Sequence, residues 1–161
     1  MKPYTAHHIG YTVPDLEQAV RFFTDALGAE VAYRTGPFND PDGDWMIRQL
    51  GVHPRSELRI AQLRLGGGLQ LELFEYDAPD QRRALPRNSD WGGQHLALLA
   101  EDVDAEAARL AAYPGVRVLG GVDTVGEGPI KGTRWVYLTT PFGMYLELIA
   151  PVVPLTQGAE P

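Results

Sequence analysis

The sequence predicts an α+β protein built from two tandem βαβββ modules, and three observations carry that prediction. A strand opening on histidine occurs twice, as HIGYTV from His8 and HLALLA from His95. Asp15 and Gly28 recur at the same spacing of 87 residues, as Asp102 and Gly115. A strand with one glutamate set among leucines also occurs twice, as LQLELFEY (69–76) and MYLELIAP (144–151). Their flanks align from Arg59 and Arg134 at a shift of 75, which puts Glu72 over Glu147. The two shifts differ by 12, the extra length of one loop in the first module.

In the first module, His8–Val13 alternates, with Ile9, Tyr11 and Val13 on one face and His8, Gly10 and Thr12 on the other. Pro14-Asp15 stops the strand. Asp15 with Gln18 forms a capping-box arrangement, and Gly28 suits the residue after the helix. Between them Leu16, Ala19, Val20, Phe23 and Leu27 repeat at helical spacing and present one face for burial. A short strand around Ala29–Arg34 follows. Residues 35–57 hold three prolines, three glycines and three aspartates, and read as a loop with a helical turn at Trp45–Leu50. A connection of that length in a compact domain is usually a lid or a binding loop. A strand Leu58–Leu65, the turn Gly66-Gly67-Gly68 and the Glu72 strand form a hairpin. Residues 77–94 are polar and rich in turn formers.

The second module repeats this order, with an alanine-rich helix at Asp102–Tyr113 ending at Pro114-Gly115. The expected organisation is one domain over 1–161, with module one at about 5–76, a linker at 77–94, module two at about 95–151 and a tail at 152–161. That length is enough to bury a core.

Bulk properties exclude several classes. Apolar content of 44% and charged content of 22% describe a globular chain rather than a disordered or membrane one. No apolar run has membrane-spanning length. MKPYTAHHIG lacks the apolar segment of a signal peptide, so a cytoplasmic location is expected. Zero cysteines remove disulfides, thiolate metal sites and cysteine nucleophiles. A net charge of −7 argues against nucleic acid or anionic membrane as a partner.

Alternation selects the chemistry. The faces of Leu69, Leu71, Leu73 and of Met144, Leu146, Leu148 must pack under the helices. Glu72 and Glu147 therefore turn to the opposite sheet face, together with His8 and His95. An inward carboxylate costs several kcal/mol unless it is paired or ligates a metal. His8, Glu72, His95 and Glu147 are thus read as one divalent-metal site. A single glutamate in a strand or a single histidine opening one is usually structural. The duplication of both raises the joint reading.

HIGYTVPDLEQAVRFFTDALG with LQLELFEY, then HLALLAEDVDA with WVYLTTPFGMYLELI, resembles the vicinal oxygen chelate superfamily of glyoxalase I, bleomycin-resistance proteins and extradiol dioxygenases. The resemblance spans about residues 5–150 and implies paired βαβββ modules forming a cupped mixed sheet around a metal. The superfamily's ligand positions fall on His8, Glu72, His95 and Glu147. This histidine-glutamate set is that of metal-dependent glyoxalases, and methylmalonyl-CoA epimerases carry glutamine where this chain has Glu72. Nitrogen and oxygen donors suit Ni²⁺, Co²⁺, Zn²⁺, Mn²⁺ or Fe²⁺ alike. The stretches DWMIRQLGVHPRSELRIAQLRLGGG, EYDAPDQ and EGPIKGTRWVYLTTPFG resemble the small epimerases of this superfamily that act on cyclitol precursors such as 2-epi-5-epi-valiolone.

The expected activity is a metal-dependent epimerase or isomerase. It removes a proton α to a metal-bound carbonyl through an enediolate, with Glu147 and Glu72 as the candidate bases. A small carbonyl or polyol substrate would meet Tyr145, Trp135 and Tyr137, with Arg48, Trp45 and Asp44 of the long loop closing over it and Lys131 of Gly126–Gly132 flanking the site. For Trp135 and Tyr137 core packing is the plainer reading, and for Lys131 a solvated position is an equal one. His7 is expected to face solvent, and His53 to be part of the loop. Small members of the superfamily commonly pair, which implies a homodimer. Four other activities compete: a glyoxalase I-like lyase, a methylmalonyl-CoA epimerase-like enzyme, a metal-free drug-binding protein and an Fe²⁺ extradiol dioxygenase. The first two lack evident glutathione- or CoA-binding residues, and a fourth protein ligand counts against the dioxygenase.

Overall fold

The computed structural model describes residues 4–152, so most of the expected C-terminal tail lies outside the described residues. The chain divides into two compact units, Met1–Ala84 and Leu85–Pro161. In the first, β1 (Ile9–Thr12), α1 (Leu16–Leu27), β2 (Glu30–Phe38), α2 (Trp45–Leu50), β3 (Glu57–Arg64) and β4 (Gln70–Asp77) follow in order. In the second the order is β5 (His95–Leu99), α3 (Val103–Ala111), β6 (Arg117–Thr124), β7 (Arg134–Thr139) and β8 (Tyr145–Ala150). Each unit builds one four-stranded mixed sheet, ordered β1-β4-β3-β2 and β5-β8-β7-β6. The first two strands of each run parallel and the other neighbours antiparallel. The α+β class and the doubled βαβββ order are therefore as the sequence predicts. No helix among the described residues is long and apolar enough to cross a membrane.

The helix starts follow from their caps. Asp15 Oδ1 accepts from the Gln18 backbone N–H at 2.8 Å, and Asp102 Oδ1 from that of Ala105 at 3.0 Å. Each satisfies an otherwise orphaned donor of the first turn. Gly28 closes α1 at φ 67°. Helix α3 stops at Ala111, two residues short of the expected Tyr113, because Pro114 disfavours helical backbone in the residue before it.

Both helices bury one face on a leucine-rich sheet face. Leu16, Ala19, Val20, Phe22, Phe23 and Ala26 of α1 are buried, as are Ala61, Leu63, Leu71 and Leu73 of the sheet it packs on. Val103, Ala107 and Leu110 of α3 are buried like Val136, Leu138, Leu146 and Leu148. At about 1.5–3 kcal/mol for each fully buried large aliphatic side chain, these layers dominate the stabilisation of both units.

The long loop is more structured than its composition suggests. Strand β2 runs to Phe38 rather than ending near Arg34, and it tolerates Pro37 because it is an edge strand with a register shift between Thr35 and Phe38. Gly36, at φ 105°, leaves no room for a side chain: a Cβ there would lie 2.7 Å from the Leu58 carbonyl oxygen. Asp40 accepts from the Gly43 and Trp45 N–H groups at 3.0 and 2.9 Å, ahead of α2. Met46, not Trp45, anchors that helix in the core. The Arg55 guanidinium donates to the carbonyls of Asp40 (2.6 Å) and Gly43 (2.9 Å), fastening the segment to the start of β3.

Candidate active site

The two halves place their glutamates at the same rung of equivalent ladders. Gly10 pairs with Glu72 across β1 and β4, and Ala97 with Glu147 across β5 and β8. Leu71, Leu73, Leu146 and Leu148 on the opposite face are no more than 3% exposed, whereas the glutamate side chains are 15% and 14% exposed. Each carboxylate is thus turned away from the helices. Gly10 has a steric role, because a Cβ at this position would lie 2.8 Å from Phe74 Cε2.

Within each unit the histidine and glutamate meet. His8 Nε2 lies 3.0 Å from Glu72 Oε2, and His95 Nε2 lies 3.1 Å from Glu147 Oε2. Neither unit, among its described residues, extends its pair to three or more histidine, aspartate or glutamate side chains. The donor chemistry of each pair fits a divalent cation.

The surroundings of the two pairs differ. His7, exposed as expected, turns its Nδ1 to within 2.8 Å of His8 Nδ1, so one of these two nitrogens carries the shared proton. His95 instead packs edge-on against Tyr137, with ring centroids 5.0 Å apart, and Tyr137 packs edge-on against Trp135 at 5.4 Å. The Tyr33 hydroxyl donates a long hydrogen bond of 3.4 Å to Glu72 Oε1. Its counterpart by strand register is Leu119: Tyr33 pairs with Gln62 beside Glu72, and Leu119 with Tyr137 beside Glu147. Tyr33 was not legible in the sequence, because its register is fixed only through the bulged β2–β3 pairing. Gln62 is a second addition, and its signal was available, since it stands 75 residues before Tyr137. It is 2% exposed and donates to Gln70 at 3.1 Å, and its Oε1 has no partner among the described residues.

Three phenols near the glutamates are held in the neutral, donating form. Burial, then the Glu72 charge, raises the pKa of Tyr33 and of Tyr76, and for Tyr33 the hydrogen bond adds to this. Burial, then the Glu147 charge, raises that of Tyr137.

The other expected site residues fall into two groups. Trp135, Tyr137 and Tyr145 are half-buried on the Glu147 face of the second sheet. Arg48 and Trp45 lie on α2, where Arg48 Nε binds Asp44 Oδ1 at 2.9 Å and Trp45 is 44% exposed. Lys131 is exposed, in a turn where its backbone N–H donates to the Gly128 carbonyl at 3.2 Å. His53 shapes its loop by accepting from the Arg55 N–H at 3.0 Å.

The family model described as glyoxalase/bleomycin resistance protein/dioxygenase superfamily matches residues 7–137. The chain belongs to this superfamily. A 2-epi-5-epi-valiolone epimerase from an Actinomyces species is 62% identical over 143 residues, covering 89% of this chain and 77% of that protein. Among solved structures, a glyoxalase family protein from Bacillus cereus matches at TM-score 0.69 and 21% identity, covering 95% of this chain and 97% of its own. The fosfomycin resistance protein FosX from Listeria monocytogenes, solved with Mn(II) and sulfate ion, matches at TM-score 0.55 and 20% identity, covering 92% and 93%. At these identities the two structures establish the superfamily fold alone.

Proposed function

We propose that the chain is a divalent-metal-dependent 2-epi-5-epi-valiolone epimerase. The observation that carries this reading is the 62% identity, over 89% of the chain, to a protein of that name. The retained histidine and glutamate of each unit support it. We assign His8, Glu72, His95 and Glu147 as ligands of a single divalent ion, which when bound supplies a Lewis acid for substrate oxygens. The assignment treats the two modules as one working domain.

Epimerisation next to a ketone needs a proton taken from one face of a carbon and returned to the other. As the C–H bond breaks, its electron pair passes toward the carbonyl oxygen, and a carboxylate receives the proton. Glu72 and Glu147 are the two carboxylates available, and each keeps its imidazole neighbour in place. The neutral phenol of Tyr137 donates to oxygens that gain charge, while that of Tyr33 donates to Glu72 and orients it. Tyr145, Trp135 and Tyr137 form the wall against which the ring of the substrate rests. Arg48, Trp45 and Lys131 are assigned to its outer contacts. A cytoplasmic homodimer belongs to the same proposal.

The test is metal content per chain, measured by mass spectrometry on protein purified without chelator, beside deuterium incorporation from D₂O into 2-epi-5-epi-valiolone followed by NMR. About one ion per chain, lost in a Glu72→Ala/Glu147→Ala variant together with exchange, is the expected result. Two ions per chain would assign each pair its own metal. No metal uptake, or metal with no exchange at the carbon beside the ketone, would overturn the reading.

A further inference from the structure

The second unit contains a pocket of about 370 Å³ whose walls include Arg117, Thr139, Tyr145, Leu85 and Pro86. It adjoins the His95–Glu147 pair, since Tyr145 is the register partner of His95 and stands two residues before Glu147 on the same strand face. Arg117, Thr139 and Tyr145 occupy one continuous row across β6, β7 and β8, so their side chains share that face. No acidic side chain lines the pocket.

Arg117 is the one charged side chain that lines the pocket. With 21 acidic residues against 14 basic ones, carboxylates are in excess, and seven other arginines are ion-paired. Arg117 has neither an ion pair nor a side-chain hydrogen bond among the described residues, a lack it shares with Arg21, Arg82 and Arg83, none of which lines the pocket. Arg87, next in sequence to Pro86, is ion-paired with Asp90 at 2.8 Å and adds no net charge, so Arg117 carries the positive charge of the pocket. Thr140 Oγ1 accepts from the Met144 N–H at 2.9 Å, and Thr139 and Tyr145 are the hydroxyls in the row with Arg117.

We propose that this pocket binds the oxyanion of a small organic molecule, a carboxylate or a phosphate ester. Arg117 supplies the counter-charge, and the Thr139 and Tyr145 hydroxyls supply further donors. A planar guanidinium matches either anion through two parallel hydrogen bonds. The volume lies near the lower end of small-molecule sites, roughly 300–1,000 Å³, so the anion comes attached to a carbon framework. The inference uses none of the proposed metal ligands; it shares Tyr145 with the substrate wall proposed above, whereas Arg117 and Thr139 belong to this pocket alone.

The experiment titrates the full-length, metal-bearing protein with glycerol phosphate, glycerate and uncharged glycerol, following backbone amide NMR shifts. Binding of at least one anion, with shifts centred on Arg117, Thr139 and Tyr145 and none with glycerol, is the expected result; whichever anion binds more tightly identifies its class. Arg117→Gln should weaken that binding by about 10-fold or more, the loss of a charge-assisted hydrogen bond, with metal content unchanged. Arg83→Gln, an exposed change outside the pocket, should leave it intact. Tyr145→Phe should weaken it less than Arg117→Gln. Absence of binding at millimolar anion, equal binding in Arg117→Gln, or shifts centred on His8 and Glu72 would overturn the proposal.

Discussion

Tyr33 directs its hydroxyl at Glu72 Oε1 across 3.4 Å, and no phenol stands in the corresponding place beside Glu147. The duplicated carboxylates are therefore chemically unequal. Glu72 has an imidazole on one oxygen and a phenol on the other, whereas Glu147 has an imidazole on Oε2 and the Tyr137 ring nearby. Removing the phenol should be felt at Glu72 alone. Tyr33→Phe is expected to lower turnover by several-fold, up to about 10-fold, the range for one net hydrogen bond. Steady-state kinetics would check this, with metal content held at the wild-type value. Unchanged kinetics would assign Tyr33 to packing.

Both carboxylates are expected to matter more than any neighbour. Glu72→Gln and Glu147→Gln should each reduce deuterium exchange into substrate by about 10²–10⁴-fold, the usual contribution of a positioned general acid or base. Single-turnover exchange in each direction of the epimerisation would show which glutamate serves which face.

The α2 segment gives a stability prediction. Met46 is fully buried while Trp45 is 44% exposed. Met46→Ala should cost about 2–5 kcal/mol in urea unfolding, whereas Trp45→Ala should stay within about 0.5 kcal/mol. A substrate-dependent loss in Trp45→Ala without loss of stability would place that ring on the ligand.

Asp90 supplies a titration test. Hydrogen bonds from the Arg87 side chain, and then from its backbone N–H, lower the Asp90 pKa from 3.8 to about 2. A depressed folded-state value favours the ionised, folded form above the unfolded pKa, and that contribution is lost as pH falls through about 2. The carboxyl carbon shift of Asp90 should show its midpoint there. In Arg87→Gln the midpoint should rise part of the way toward 3.8, because the backbone donor remains.

The repeat was legible because its signals are short-range. His8 and His95, Asp15 and Asp102, and the leucines flanking each glutamate keep their spacing, and alternation assigns the glutamate face without tertiary information. What escaped the sequence depends on pairing between distant strands. Tyr33 meets Glu72 through a strand whose Gly36-Pro37 reads as loop, and His7 reaches His8 although their strand parity is opposite. Arg117 is illegible in the sequence for a related reason. Its place at the start of β6 has no motif, and only the row through Thr139 and Tyr145 makes it a lining residue.

The 12 additional residues of the first module enter between β2 and β3, at the end of the sheet order farthest from β1. The paired strands β1, which follows His8, and β4, which carries Glu72, are thereby insulated from what is added. Arg55 and Asp40 close the insertion upon itself rather than upon those strands. Such a layout lets one copy of a repeated unit acquire new length while the histidine and glutamate of each copy keep their place. Evolution can then rewrite what the protein accepts without first having to reinvent what it does.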